Sequence, residues 1–328
     1  MNSAIHIGPE LRSSAGRREV AARMSDSRVP ERPAEWEERM ASELFSSLSP
    51  RLPQVAPLAP PAPLAPFEEV QIARRKGEGT LTATWYPAEL ARGAVLLLHP
   101  WVVVGRAYFH RHGRIEALRA AGYHALAVDL GGFGGSSPPE GFPDRDVAAA
   151  LAGLRARADG LPLHVWGVSA GGYWAHPVLS GARDVLGAVF EDVSPHLLEW
   201  SWRVAPEGRA NYSLFRRSLP RAYRFLDIRR HAAAMRLAAV AYISGERDRG
   251  VRPEDTFRLA GLAQGVCHII PGAEHLTAIK RARHEIIALA LATFRRAESG
   301  LAAPEATGVI GWQPRERAGA AARSGEDS

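Results

Sequence analysis

Between residues 67 and 298 the chain alternates short, wholly apolar runs with longer stretches in which apolar residues recur every three or four positions. Two edge-like segments, 70–74 and 81–86, precede an apolar run at 94–98, and a helical period follows over 111–121. The series continues with a strand at 125–129, a helix at 147–158, a strand at 163–168, a helix at 173–180 and a strand at 188–190. After an irregular, aromatic-rich insert at about 195–230 come a strand at 239–244, a helix at 254–263, a strand at 267–270 and a last helix at 276–296. Apolar strands separated by amphipathic helices predict a mostly parallel sheet covered on both faces, hence the α/β class. Ligands are then expected beyond the carboxyl ends of the strands.

Outside this unit the pattern changes. Residues 50–66 (PRLPQVAPLAPPAPLAP) are proline-rich and read as an extended spacer, so residues 1–66 are expected to form a disordered arm and residues 299–328, rich in Ala, Gly and charge, a disordered tail. Within the arm, Trp36, Met40, Leu44 and Leu48 recur every four residues and make an apolar stripe on a short helix. That stripe could dock on the domain or on a protein partner, although a marginal isolated helix is the simpler expectation.

Composition narrows the function classes. A net charge of +6 would suit nucleic acid, but of 41 basic residues only Lys76 and Lys280 are lysine, and the arginines are interspersed with acids. No basic stripe results, so no nucleic-acid partner is expected. The single cysteine, Cys267, excludes an internal disulfide and a cysteine-based zinc site. No apolar stretch reaches the length of a membrane span and residues 1–20 lack a signal-peptide core, so a cytoplasmic protein is expected.

One turn carries candidate chemistry. In HVWGVSAGG, at residues 164–172, Ser169 lies between Gly167 and Gly171 where a strand gives way to a helix. A Gly-x-Ser-x-Gly match arises by chance in about one chain in five of this composition, and a Gly-rich loop with a helix-capping serine would look the same. The strand-turn-helix setting is what favours a nucleophile, because a reactive serine on such a corner needs small neighbours. A serine also needs a base and an orienting acid. Asp248 in SGERDRGV and His275 in PGAEHL each follow a strand, in the order Ser, Asp, His. Glu246 and Asp192 are alternative acids, and His99 at the end of LLLHP reads as a structural hydrogen-bonder. Two backbone N–H donors are needed for an oxyanion; Ala170 follows the serine, and Trp101 is the natural second donor because Pro100 has none.

On LLLHPW, DLGGFGGSS, GVSAGG, SGERDRGV and PGAEHL, the chain from about 67 to 298 resembles the α/β-hydrolase superfamily. The resemblance implies an eight-stranded sheet with an antiparallel second strand, a small helical lid insert at about 195–230, and Ser169, Asp248 and His275 as nucleophile, acid and base. It departs from many members at His99-Pro100, where they carry His-Gly. The aromatic residues Trp200, Trp202, Tyr212, Phe215 and Tyr223 fall in the lid, and Trp200 and Trp202 are taken as pocket candidates. The expected function is cofactor-independent, metal-free hydrolysis of an ester or related acyl bond of a small molecule. An acyltransferase and a non-catalytic binding module on the same fold are the alternatives.

Overall fold

A computed structural model describes residues 30–48, 66–75, 79–101, 104–204 and 208–300, so residues 50–65 of the expected spacer and 301–328 of the expected tail lie outside the described residues. Eight strands form one sheet: β1 (Glu68–Ala73), β2 (Thr80–Tyr86), β3 (Gly93–Leu98), β4 (Tyr123–Val128), β5 (Leu163–Val168), β6 (Val185–Glu191), β7 (Ala239–Gly245) and β8 (Val266–Ile270). Their spatial order is β1-β2-β4-β3-β5-β6-β7-β8. Strand β2 runs antiparallel to β1 and β4, and the pairs from β4 through β8 are parallel. This is the α/β architecture expected from the sequence.

Alternation along each central strand feeds two cores. Ala94, Leu96 and Leu98 of β3 face one core, while Val95 and Leu97 face the other. The first core lies under α3 (Asp144–Ala158), α4 (Ala170–Gly181) and α9 (Pro253–Leu262). The second lies under α2 (Arg114–Ala120) and α11 (Arg283–Ser299). Every residue of β3 and β5 is buried, as wholly apolar runs in a doubly covered sheet require.

Two helices depart from expectation. The 111–121 period resolves into a 3-10 turn, Gly105–His112, and α2, separated by Gly113 at φ 68°. The 276–296 helix begins later and is broken: Leu276 holds φ 59°, α10 covers only Ala278–Arg281, and α11 restarts at Arg283. The insert forms α5 (Leu197–Val204), α6 (Gly208–Ser218), α7 (Pro220–Phe225) and α8 (Ile228–Ala234), tied at its base by a bridge between His196 and Asp227.

Residues 30–43 of the arm dock on the domain, the alternative to an isolated helix, but not through the apolar stripe. Helix α1 (Glu35–Leu48) turns its acids inward: Glu37 and Glu38 are buried, while Trp36 and Met40 of the apolar stripe are exposed. Hydrogen bonding decides the orientation. Glu37 Oε1 accepts the backbone N–H groups of Arg221 and Ala222 in the first turn of α7, and Glu38 meets Phe142 N–H, Arg32 and Arg145. A buried carboxylate is tolerated only with such partners.

Candidate active site

The glycines around Ser169 explain the corner between β5 and α4. Ser169 itself holds φ 47°, ψ −115°, a conformation strained for a residue with a side chain. A Cβ at Gly171 would come 2.3 Å from Leu98 O, one at Gly167 would come 2.5 Å from Gly172 Cα, and one at Gly172 would come 2.6 Å from Val193 Cγ2. The first two obstacles are backbone, one of them on a central strand, and cannot step aside. Gly171→Ala is therefore expected to destabilise the fold by about 3 kcal/mol or more, read as a lower urea midpoint with unchanged slope. Stability within about 0.5 kcal/mol of wild type would contradict the corner described here.

At this corner three side chains from distant parts of the chain meet. Ser169 Oγ lies 3.1 Å from His275 Nε2, and His275 Nδ1 lies 2.6 Å from Asp248 Oδ2. The protonation pattern follows from the partners: an ionised carboxylate only accepts, so Nδ1 carries the hydrogen and Nε2 is left to accept from the serine hydroxyl. Asp248 is fixed by two further bonds, its Oδ1 accepting from Gly250 N–H at 2.8 Å and Val251 N–H at 2.9 Å. Burial alone would lower the His275 pKa, but the Asp248 hydrogen bond and the charges of Asp192 and Asp248 outweigh it, so the net shift is upward.

The two alternative acids do other work. Glu246 Oε2 accepts Gly272 N–H at 2.8 Å and so holds the turn after β8. Asp192, fully buried at φ 52° just past β6, accepts Leu276 N–H at 2.8 Å through Oδ2. That bond holds Leu276 in its left-handed conformation, which is why the helix expected from 276 starts late and His275 faces the serine. Burial, then the neighbouring Asp248 and Glu191 charges, raise the Asp192 pKa to about 7. Its Oδ1 is buried with no hydrogen-bond partner. Ligand atoms of Asp192, Asp248 and His275 lie within 4.8 Å of one another, the one such cluster among the described residues. A cation there would have to displace the proton shared by His275 and Asp248, so the donor set suits proton handling better than metal binding.

No family model matches the sequence, and no curated protein sequence matches it. Solved structures do. An esterase of Pyrococcus furiosus covers 74% of this chain with 98% of its own length, at a TM-score of 0.61 and 19% identity. A thermostable carboxyl esterase of Bacillus coagulans covers 69% with 97% of its length, at 0.53 and 16%. An α/β hydrolase of a Penicillium species covers 71% with 99% of its length, at 0.54 and 14%. The chain has the α/β-hydrolase fold.

On this α/β-hydrolase fold, Trp101 and Ala170 line one narrow apolar cavity, together with His99, Leu130, Gly131, Phe133, Pro139, Pro143 and Trp174. Its volume is about 40 Å³. His99 is structural, with Nε2 accepting Leu130 N–H at 3.0 Å. The lid aromatics divide. Trp200 lies against His275, with ring centroids 6.1 Å apart, and against the Asp248 turn, where a Cβ at Gly250 would come 2.4 Å from Trp200 Nε1. Trp202 is 38% exposed and packs on Tyr212 instead. Phe215 is buried, and the Tyr212 and Tyr223 hydroxyls bond to each other at 2.7 Å, so these three serve the lid's own packing. Neither Trp200 nor Trp202 lines the cavity; Trp174, four residues into α4, does, and sequence reasoning missed it. The aromatic pair Tyr173-Trp174 at the start of the helix that follows the candidate nucleophile was the available signal.

Proposed function

We propose that this protein is a serine hydrolase of carboxylic esters. The observation that carries the reading is the chain of two hydrogen bonds from Ser169 through His275 to Asp248, built at a corner where the serine is held in a strained backbone conformation. In this scheme Ser169 Oγ attacks the ester carbonyl while His275 Nε2 takes its proton, Asp248 stabilises the resulting imidazolium, and the tetrahedral oxyanion is met by the N–H groups of Ala170 and Trp101. The same imidazolium returns its proton to the leaving alcohol. A water activated by His275 then attacks the acyl-Ser169 ester and releases the acid. Carboxylic ester is the preferred substrate class because two of the solved structures this chain resembles are esterases.

Among the described residues no helix is long and apolar enough to cross a membrane. Hydrolysis of p-nitrophenyl acetate across pH tests the scheme. The base must be neutral to act, so kcat/KM is expected to fall as pH drops through the His275 pKa, with the midpoint above the ordinary 6.5 because the net shift is upward. A folded protein that leaves the ester intact at every pH would refute the proposal, and a rate with no acid limb would remove His275 as the base.

A further inference from the structure

The cavity beside the candidate oxyanion donors is small, and the middle of its outer wall is bonded by the docked arm. At about 40 Å³ it is narrow, so a short acyl group fits it better than a long one. Two of its lining residues, Pro139 and Pro143, belong to the segment that links the turn after β4 to α3. Phe142, between them, stacks on Trp174 at 5.4 Å and on Phe225 of α7 at 5.7 Å between ring centroids. Inside the domain Arg74 ties the two flanks of this segment, its Nη1 and Nη2 donating to Pro138 O and Ser137 O before the wall and its Nε meeting Asp146 in α3 after it at 3.0 Å, and leaves the middle of the wall to other partners.

Toward the lid the pins come from the arm. Glu38 Oε1 accepts Phe142 N–H at 2.8 Å, and its carboxylate takes Arg145 Nε and Nη2 at 3.1 Å each. Arg32 bridges Glu38 to Asp144, the first residue of α3, at 2.7 Å and 2.6 Å, with its guanidinium over the Phe225 ring. Glu37, one residue earlier, accepts two N–H groups of α7. Burial alone would raise the Glu38 pKa, but Arg32, Phe142 N–H and Arg145 outweigh it and hold it below its ordinary value. Gly141 lets the carboxylate in: it has φ 72°, and a Cβ there would come 2.2 Å from Glu38 Oε1.

We infer that the docked arm determines acyl-chain specificity, with Glu38 as the positioning residue that holds the Pro139–Pro143 wall against the cavity and restricts the enzyme to short acyl groups. The inference deepens the ester hydrolase reading and rests on it. Glu38 lines no part of the cavity and touches none of the reacting groups; it acts through Phe142, Pro143 and, with Glu37, through the lid. Loss of its carboxylate frees the wall to move outward and admits longer chains, while the Ser169 corner on the far side of the cavity is untouched.

The test is kcat/KM for p-nitrophenyl acetate, butyrate and octanoate with the full-length chain. Wild type is expected to prefer acetate and butyrate. Glu38→Ala is expected to keep acetate kcat within about two-fold of wild type and to raise the octanoate-to-acetate ratio about ten-fold or more. Glu38→Gln keeps a carbonyl for Phe142 N–H but loses the charge for the arginines, so its shift is smaller. If Glu38→Ala does not fold, Gly141→Ala displaces the same carboxylate without deleting it and is expected to shift the ratio in the same direction. An unchanged ratio in folded variants, an equal loss on all three esters, or a wild type indifferent to chain length overturns this inference alone. A wild type that cleaves none of the esters overturns the hydrolase reading with it.

Discussion

Ser169→Ala is expected to lower kcat on a short-chain ester by about 10⁶-fold, or about 8 kcal/mol of transition-state stabilisation, while the protein remains folded. The magnitude follows from what the hydroxyl does in the proposed scheme. Without it no acyl-enzyme forms, His275 has no proton to take from the attacking atom, and only the N–H donors and ester binding remain to help water attack directly. The substitution also removes a strained polar residue and leaves a methyl group in a conformation set by the same glycines, so thermal stability should change little. A fluorophosphonate probe gives the second readout: wild type is expected to carry one adduct on the peptide containing Ser169, and the alanine variant none. Labelling that survives the substitution would place the nucleophile elsewhere, and an unlabelled folded wild type would favour a binding module over an enzyme.

Much of this centre could be read from the sequence, for a physical reason. Strands covered on both faces must be apolar throughout, so β5 was expected at 163–168 and is found at Leu163–Val168. Once the strands are placed, the residues just past their ends are placed too, and those include Ser169, Asp248 and His275. What escaped was set by long-range polar contact. Glu37 and Glu38 look like solvated charges on a helix whose apolar stripe should pack, yet Glu38 bonds Phe142 across 104 residues of sequence and the stripe residues Trp36 and Met40 stay outside. Likewise nothing local says that Leu276 must adopt φ 59°; its N–H is fixed by Asp192, 84 positions earlier. The cavity depends on the same kind of closure, which is why the lid tryptophans were more legible than Trp174, Pro139 and Pro143.

Asp248→Asn is expected to lower kcat about 10⁴-fold with little change in KM, and it separates the three acids near His275. Asparagine is close in shape to aspartate and its carbonyl can still accept from Gly250 and Val251, so the turn should survive. What changes is the proton on the ring. An amide N–H facing Nδ1 favours the tautomer with hydrogen on Nε2, which then cannot accept from Ser169, and no charge remains beside the imidazolium as it forms. A 10⁴-fold loss corresponds to about 5.4 kcal/mol at about 1.36 kcal/mol per decade. Glu246→Gln should cost only a few-fold, because a glutamine carbonyl can take the same Gly272 N–H and the group does not reach the imidazole. Asp192→Asn should fall between them: the Leu276 N–H keeps an acceptor, but His275 loses one of the two carboxylates that raise its pKa, so the acid limb of kcat/KM moves to lower pH. If Glu246→Gln or Asp192→Asn proved more damaging than Asp248→Asn, the orienting acid would be that residue, and the 2.6 Å contact between Asp248 and His275 would not be the one that sets the ring's proton.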